Sequence, residues 1–247
     1  FMYFRRLENS PLKFDTVTAL TELCGRTMPS DVIPADFVYH VARFLDETSK
    51  FRGAELTYIK ACNLYNNNSS PLEVAKTKRD LAQLYMVNGV MDKAETMFKE
   101  VIEVYEKEKG PEDIEVAVTL TRLGQLFINT KQGPHAHEVL NRALRIAEGA
   151  EGDNSLLIAV AIYELGCLFL VERDLLPGNL EKSENYLKRA LKIKQDQLGF
   201  WHPDTATILN RLGTVYIEQS QFSDAQDCLS LALEIRTSSL GPDHSRT

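Results

Sequence analysis

A row of large and small residues recurs along the chain with a period of about 42 residues. Each copy places a leucine, a small residue and an aromatic residue at positions i, i+1 and i+4, which lie on one face of an α-helix. The aromatic residues are 42, 42 and 47 positions apart, so the third unit holds a five-residue insertion. The four copies are Leu81, Ala82 and Tyr85; Leu123, Gly124 and Phe127; Leu165, Gly166 and Phe169; and Leu212, Gly213 and Tyr216.

A second row follows each copy and predicts a second helix in every unit. Its small, large and small residues fall at i, i+4 and i+7, which again share one helical face. These rows are Ala94, Phe98 and Val101; Ala136, Leu140 and Ala143; Ser183, Leu187 and Ala190; and Ala225, Leu229 and Ala232. A fainter row of Ala54, Tyr58 and Ala61 precedes them. A single helix pair cannot bury both of its faces, so the sequence predicts an all-α solenoid of five stacked, antiparallel pairs starting near residues 35, 75, 117, 159 and 206.

The connector LGFWHPDTA, residues 198–206, and the 42-residue period resemble the tetratricopeptide repeat (TPR) of kinesin light chains and nephrocystins. The resemblance covers residues 35–247 and implies a right-handed superhelical solenoid of about five repeats. Residues 1–34, with one helix predicted over 14–25, are expected to cap the solenoid or to end a preceding domain. The chain begins at Phe1 and stops within the repeat pattern, so we expect a fragment of a longer protein.

Composition narrows the class of partner. The formal net charge is −7, from 28 basic and 35 acidic residues, whereas proteins that bind nucleic-acid backbones need clustered Lys and Arg. The four cysteines are widely spaced and form no CxxC, which favours a reducing cytoplasm over a disulfide framework. The apolar run 156–171 is short for a membrane span and carries Glu164 in its middle, so it predicts a buried helix.

Candidate catalytic and metal-binding residues all have structural interpretations. His202 lies in a connector that recurs 42 residues later, so we interpret it as part of a turn. His135 and His137 are too few for a zinc site and are expected at a helix start. No phosphate-binding loop is present, and no carboxylate is expected in an apolar site that would raise its pKa. The sequence therefore predicts no enzyme activity, no metal and no cofactor.

By the resemblance, the first helix of each pair lines a concave groove that binds a peptide segment. Arginines there would pair with the carboxylates of an acidic segment, amides would bond its backbone, and Tyr163 and Leu170 would contact an apolar anchor. Ordinary solvated surface is the alternative for any single one of these residues. The predicted groove residues are Arg43, Lys76, Arg79, Gln83, Arg122, Gln125, Asn129, Tyr163, Leu170, Asn210 and Arg211.

The sequence favours a cytoplasmic scaffold or adaptor that binds a partner protein. An alternative is the sensor or regulatory segment of a larger signalling ATPase, since such repeat arrays often follow a nucleotide-binding module. A third class, the RNA-binding helical array, is disfavoured by the negative charge and the long period.

Overall fold

The computed structural model describes residues 34–67, 70–151, 155–174 and 178–240. Within these ranges it contains ten α-helices and no β-strand, which confirms the predicted all-α class. The helix predicted over residues 14–25 lies outside the described residues. The helices are α1 Ala35–Glu47, α2 Phe51–Asn67, α3 Pro71–Val87, α4 Met91–Lys109, α5 Ile114–Asn129, α6 Gly133–Glu151, α7 Leu156–Val171, α8 Asn179–Leu198, α9 Pro203–Glu218 and α10 Phe222–Leu240.

The helices form five successive pairs. The two members pack together in the pairs α1–α2, α5–α6, α7–α8 and α9–α10. In the α3–α4 pair, the Lys78 Nζ donates to Oε2 of Glu100 at 2.6 Å. Short connectors make paired helices run antiparallel, so the repeat unit is the predicted antiparallel helix pair.

The first helices of the later pairs begin three or four residues before the predicted starts, at residues 71, 114, 156 and 203. The sequence pattern marks the first buried small residue, whereas the helix begins at its cap, about one turn earlier. Asp113 caps α5 and Ser155 caps α7 through their side-chain oxygens. His202 caps α9, because its Nδ1 accepts a hydrogen bond from the Asp204 backbone N–H at 3.1 Å. The structural interpretation of His202 is thereby confirmed.

A left-handed residue ends the first helix in four of the five pairs. Gly89 has a φ of 79°, and the equivalent Ser49, Lys131 and Ser220 have φ values of 56°, 60° and 62°. The residue after it donates its N–H back to a carbonyl five positions earlier, as when Gln132 donates to Phe127 at 2.8 Å. This is the bonding pattern of a Schellman helix end, which satisfies the last carbonyls of the helix.

The chain divides into two compact units, residues 1–108 and 109–247. In the described part of the first unit, Ala42, Leu45, Ala54 and Tyr58 are almost completely buried. In the second unit the first helices α5, α7 and α9 also contact one another in sequence order. Its main core cluster draws on α6, α7, α8, α9 and α10.

Helix α7 is the most apolar element of the second unit and is confirmed as a buried helix. Ile158, Leu165 and Leu168 are each at most 1% exposed. Within the described ranges, no helix combines the length and the apolar character that a bilayer span requires.

The small residues of the first row set the distance between paired helices. A Cβ built on Gly124 would lie 2.4 Å from Cδ2 of Leu140, and one on Gly166 would lie 2.9 Å from Cγ of Leu187. Gly213 makes the same approach to Leu229, at 2.7 Å from its Cγ. Each glycine therefore receives the large residue of the second row, as the two rows predicted.

We predict that Gly124→Ala destabilises the protein by about 1–3 kcal/mol, because the added methyl overlaps the fully buried Leu140. Gly149→Ala is the matched control, since Gly149 lies in α6 with nothing within 4 Å of its added Cβ. There the same substitution should stabilise by up to about 1 kcal/mol through helix propensity. Urea unfolding of both variants measures the difference. Equal effects would contradict the glycine–leucine contact.

Candidate binding cavities on the first helices

The first unit carries a polar cavity of about 420 Å³ between α1 and α3, with Tyr58 of α2 in its wall. We call it the α1–α3 cavity. Four predicted groove residues line it, which places them together on one surface. Its lining residues are Tyr39, Arg43, Asp46, Glu47, Tyr58, Lys76, Arg79, Asp80 and Gln83.

Carboxylates balance the basic side chains of this cavity. Tyr39 donates its hydroxyl to Oδ2 of Asp80 at 2.7 Å, and Arg43 lies 3.6 Å from Oε1 of Glu47. Burial raises the pKa of Asp46, and the nearby Asp80 and Glu47 raise it further. Three cations thus face three carboxylates, so the surface is of mixed charge rather than basic.

Two contacts hold the α3 side chains of this cavity in place. The Lys76 ammonium lies 5.1 Å from the centre of the Tyr39 ring, and the Arg79 guanidinium lies 5.7 Å from the centre of the Tyr105 ring. Such cation–π contacts are worth about 0.5–1 kcal/mol at exposed sites. Beside them, the Oε1 atom of Gln83 is buried without a hydrogen-bond donor among the described residues. The cavity therefore presents two positioned cations, while the Gln83 oxygen is closed off from solvent.

The second unit carries a smaller cavity of about 290 Å³, which we call the α5–α9 cavity. Arg122 reaches it from α5, and α7 and α9 supply most of its walls. Lys194 of α8 and Asp204 form an ion pair with 2.7 Å between Nζ and Oδ2. The lining residues are Arg122, Ala159, Val160, Tyr163, Glu164, Lys194, Asp204, Thr207 and Ile208.

Glu164 corrects the expectation that no carboxylate lies in an apolar site. It lines the α5–α9 cavity yet is only 7% exposed, and burial raises its pKa to about 7. The positive charges of Arg122 and Arg211 act in the opposite direction but do not offset the desolvation. One signal was available in the sequence, because Glu164 is the single charged residue of α7. A lone charge in a buried helix marks an unusual site.

The other predicted groove residues lie outside both cavities. Asn129 and Asn210 are exposed, and Gln125 is half-buried. Arg211 donates its Nε–H to the hydroxyl of Tyr163, with 3.4 Å between nitrogen and oxygen. Leu170 requires a correction, because it is 7% exposed and packs in the core cluster of the second unit. It contributes to the hydrophobic core and offers no surface to an apolar anchor.

The two histidines of the HxH sequence have separate structural contacts. His137 Nε2 lies 2.8 Å from Oε2 of Glu172, and its ring meets Phe169 edge-on with 5.1 Å between centres. His135 packs on Phe127. His135 lies in the first turn of α6 and His137 begins the second, so both are near the helix start, as the sequence predicted.

Comparison with known proteins agrees with this architecture. The tetratricopeptide repeat profile matches residues 73–149 and 175–238, which is more than half of the chain. The chain belongs to the tetratricopeptide repeat family. A TPR repeat-containing protein of Dictyostelium discoideum is 40% identical over 219 residues, covering 88% of this chain and 13% of that protein. The chain therefore spans only a small part of the length of this TPR relative.

Solved structures with the same TPR-like fold include kinesin light chain-like proteins. BtubC (BKLC) of P. vanneervenii is 23% identical with a TM-score of 0.71, and the match covers 97% of each chain. A putative kinesin light chain of P. anserina is 17% identical with a TM-score of 0.63, over 87% of this chain and 98% of that one. A Rap protein, complexed with Competence and Sporulation Factor, is 14% identical with a TM-score of 0.74, over 95% of this chain and 61% of that one. These likenesses establish the fold.

We predict that Glu164 makes folding stability depend on pH. Its folded-state pKa of about 7 exceeds the value of about 4.3 expected in the unfolded chain, so the unfolded state releases the proton first as pH rises. The contribution of Glu164 to stability is complete below about pH 4 and is lost as pH rises to about 7.

Glu164→Gln should remove this dependence. The stability of the variant relative to the native chain should increase by about 2–3 kcal/mol between pH 5 and pH 8. Denaturant unfolding across that range measures the difference, and Glu138→Gln, at an exposed position of α6, is the control. A constant difference between the variant and the native chain would mean that Glu164 ionises normally.

Proposed function

We propose that this chain is a protein-interaction module that binds an extended segment of a partner protein on the first helices of its repeats. TPR proteins generally mediate protein–protein interactions. The observation that carries the proposal is the pair of open cavities on the first helices, one in each unit. They are lined by six of the eleven residues predicted to face a ligand, among them Arg79, Gln83 and Arg122.

The α5–α9 cavity supports binding of an acidic side chain near an apolar one. Arg122 is exposed, and no hydrogen bond or ion pair joins it to another residue of the described ranges. It is therefore available to a carboxylate of the partner. Val160, Tyr163 and Ile208 lie beside it and form an apolar wall that takes the place assigned earlier to Leu170.

The α1–α3 cavity supports a different type of contact. Because its cations and carboxylates are balanced, it would attract a purely acidic segment only weakly. The α1–α3 cavity would contribute mainly to specificity, since a bound segment must place a negative group opposite Arg79 and a positive group opposite Asp80.

Two further observations support this function and its cellular setting. A Rap protein with a similar fold has been solved in complex with Competence and Sporulation Factor, so this architecture can hold a bound factor. The cysteines of the described residues, Cys62, Cys167 and Cys228, are all unpaired. Free thiols are typical of a reducing compartment, and we place the protein in the cytoplasm.

A second candidate function is the regulatory segment of a larger signalling ATPase. The matched region is 13% of the Dictyostelium relative, which supports the part of this candidate that places the repeats within a larger protein. ATP binding by the natural full-length protein would support this candidate. A full-length protein that neither binds nor hydrolyses ATP would eliminate it.

We predict that Arg122→Glu weakens segment binding more than tenfold, because it replaces an attraction to a carboxylate by a repulsion. Peptides selected on the native chain by phage display provide the probe. Their affinities are measured by calorimetry at low and high salt, and the loss should shrink at high salt because screening shortens the reach of exposed charges.

Arg145→Glu is the matched control, because it makes the same change of charge at an exposed position on the second helix α6. Circular dichroism checks that both variants remain folded. Equal affinities of the two variants for every selected peptide would show that binding does not use the α5–α9 cavity.

A further inference from the structure

Glu164 presents an unpartnered carboxyl group to the α5–α9 cavity. It is 7% exposed and lines the cavity, and among the described residues no hydrogen bond or salt bridge joins its oxygens to another group. An unpaired buried carboxylate is strongly disfavoured, and native proteins leave few buried polar groups without a partner. A group that enters the cavity and pairs with Glu164 would relieve this penalty, and the gain would appear as binding free energy.

The walls of the cavity fit a slender aliphatic chain. Ala159, Val160 and Ile208 supply apolar surface along the path to Glu164. At about 290 Å³ the cavity lies at the lower limit of the roughly 300–1,000 Å³ typical of small-molecule sites, so it suits one side chain. A lysine side chain combines an apolar stem with a terminal charge.

We propose that the α5–α9 cavity binds an alkylammonium group, the side chain of a lysine in the partner segment, with its charge paired to Glu164. The proposal rests on the proposed function and names one side chain of the segment that is bound. The aliphatic stem packs on Val160 and Ile208 while the ammonium reaches the carboxylate.

The charged residues around Glu164 indicate which residue should lie next to the lysine in the bound segment. Arg122 of α5 and Arg211 of α9 both act on Glu164 and would repel an incoming cation. Lys194 of α8 is neutralised by Asp204 of α9. Because Arg122 is exposed at the cavity, a carboxylate next to the lysine can pair with it and offset the repulsion. The segment therefore carries an acidic residue adjacent to the lysine.

A pair of blocked dipeptides tests the proposal. N-acetyl-lysyl-glutamyl amide and its norleucine counterpart differ in the terminal ammonium, and methyl NMR of Val160 and Ile208 reports their binding at matched ionic strength. The lysine probe should shift these methyl signals in a saturable manner with at least tenfold higher affinity than the norleucine probe. Equal affinities, or no shift with the lysine probe, would overturn the proposal.

Glu164→Gln provides the decisive variant, with Glu138→Gln as its control. The Glu164 variant should lose at least tenfold in affinity for the lysine probe, whereas the Glu138 variant should bind as the native chain does. Binding should also strengthen from pH 6 to pH 8, as Glu164 ionises with its pKa near 7. Burial holds the pKa of Cys167 at about 12 and that of Tyr163 well above its usual value, so neither neighbour ionises in this range. Unchanged binding in the Glu164 variant would show that the carboxyl is not the partner.

The proposed function and this inference can fail separately. Selected peptides that bind the native chain but not Arg122→Glu would uphold the proposed function even if lysine-to-norleucine replacement in them has no effect. That second result would refute the lysine pocket alone. Saturable binding of the lysine probe without any selected peptide would instead support the pocket and contradict the broader function.

Discussion

Close contact between a glycine on one helix and a leucine on its partner sets the geometry of the three helix pairs of the second unit. Gly124, Gly166 and Gly213 each face a leucine at a distance that leaves no room for a Cβ. The helices can approach this closely only because glycine contributes no side chain, and the leucine then fills the space beside it. This row uses one side of each first helix, and the residues that line the two cavities lie outside it.

The α5–α9 cavity derives its chemistry from an energetic conflict in α7. A helix at the centre of the second unit must be apolar, and Ile158, Leu165 and Leu168 meet that demand. Glu164 violates it and reduces stability at neutral pH, because its carboxyl is taken out of water without a partner. Local sequence rules are most often broken at functional sites, where stability is exchanged for interaction. The position of Glu164 in a cavity fits that pattern.

The sequence predicted the fold well because the repeat rows report packing directly. The rows that pair Gly124 with Leu140 can be recognised in the sequence alone. Their recurrence in four units strengthens the assignment of a repeat. Helix starts were less accurate, since caps such as Asp113 and Ser155 precede the rows and vary among repeats. The geometry of the turns within the pairs was hidden as well, because only Gly89 is a glycine among the four left-handed residues that end first helices in the described part of the chain.

The candidate sites were predicted less completely, for a physical reason. Helical spacing identifies which side of a helix a residue occupies, but it does not say how deeply a neighbouring helix covers that residue. Leu170 shares the spacing of the groove positions and is covered by the core. The α1–α3 cavity has mixed charge because Asp80 of α3 lines it together with Asp46 and Glu47 of α1. This arrangement depends on how the two helices pack, which the spacing within one helix does not predict.

The order of helix contacts also affects how the chain acquires its structure. In the second unit the helices pack on the next helix along the chain, and α5, α7 and α9 also meet as successive first helices. Contacts between segments close in sequence require the closure of short loops only, which lowers the entropic barrier to folding. Any one pair can therefore form first and serve as a template for its neighbours. Because each repeat spans only about 42 residues, folding that starts in one pair can extend rapidly to the neighbouring pairs.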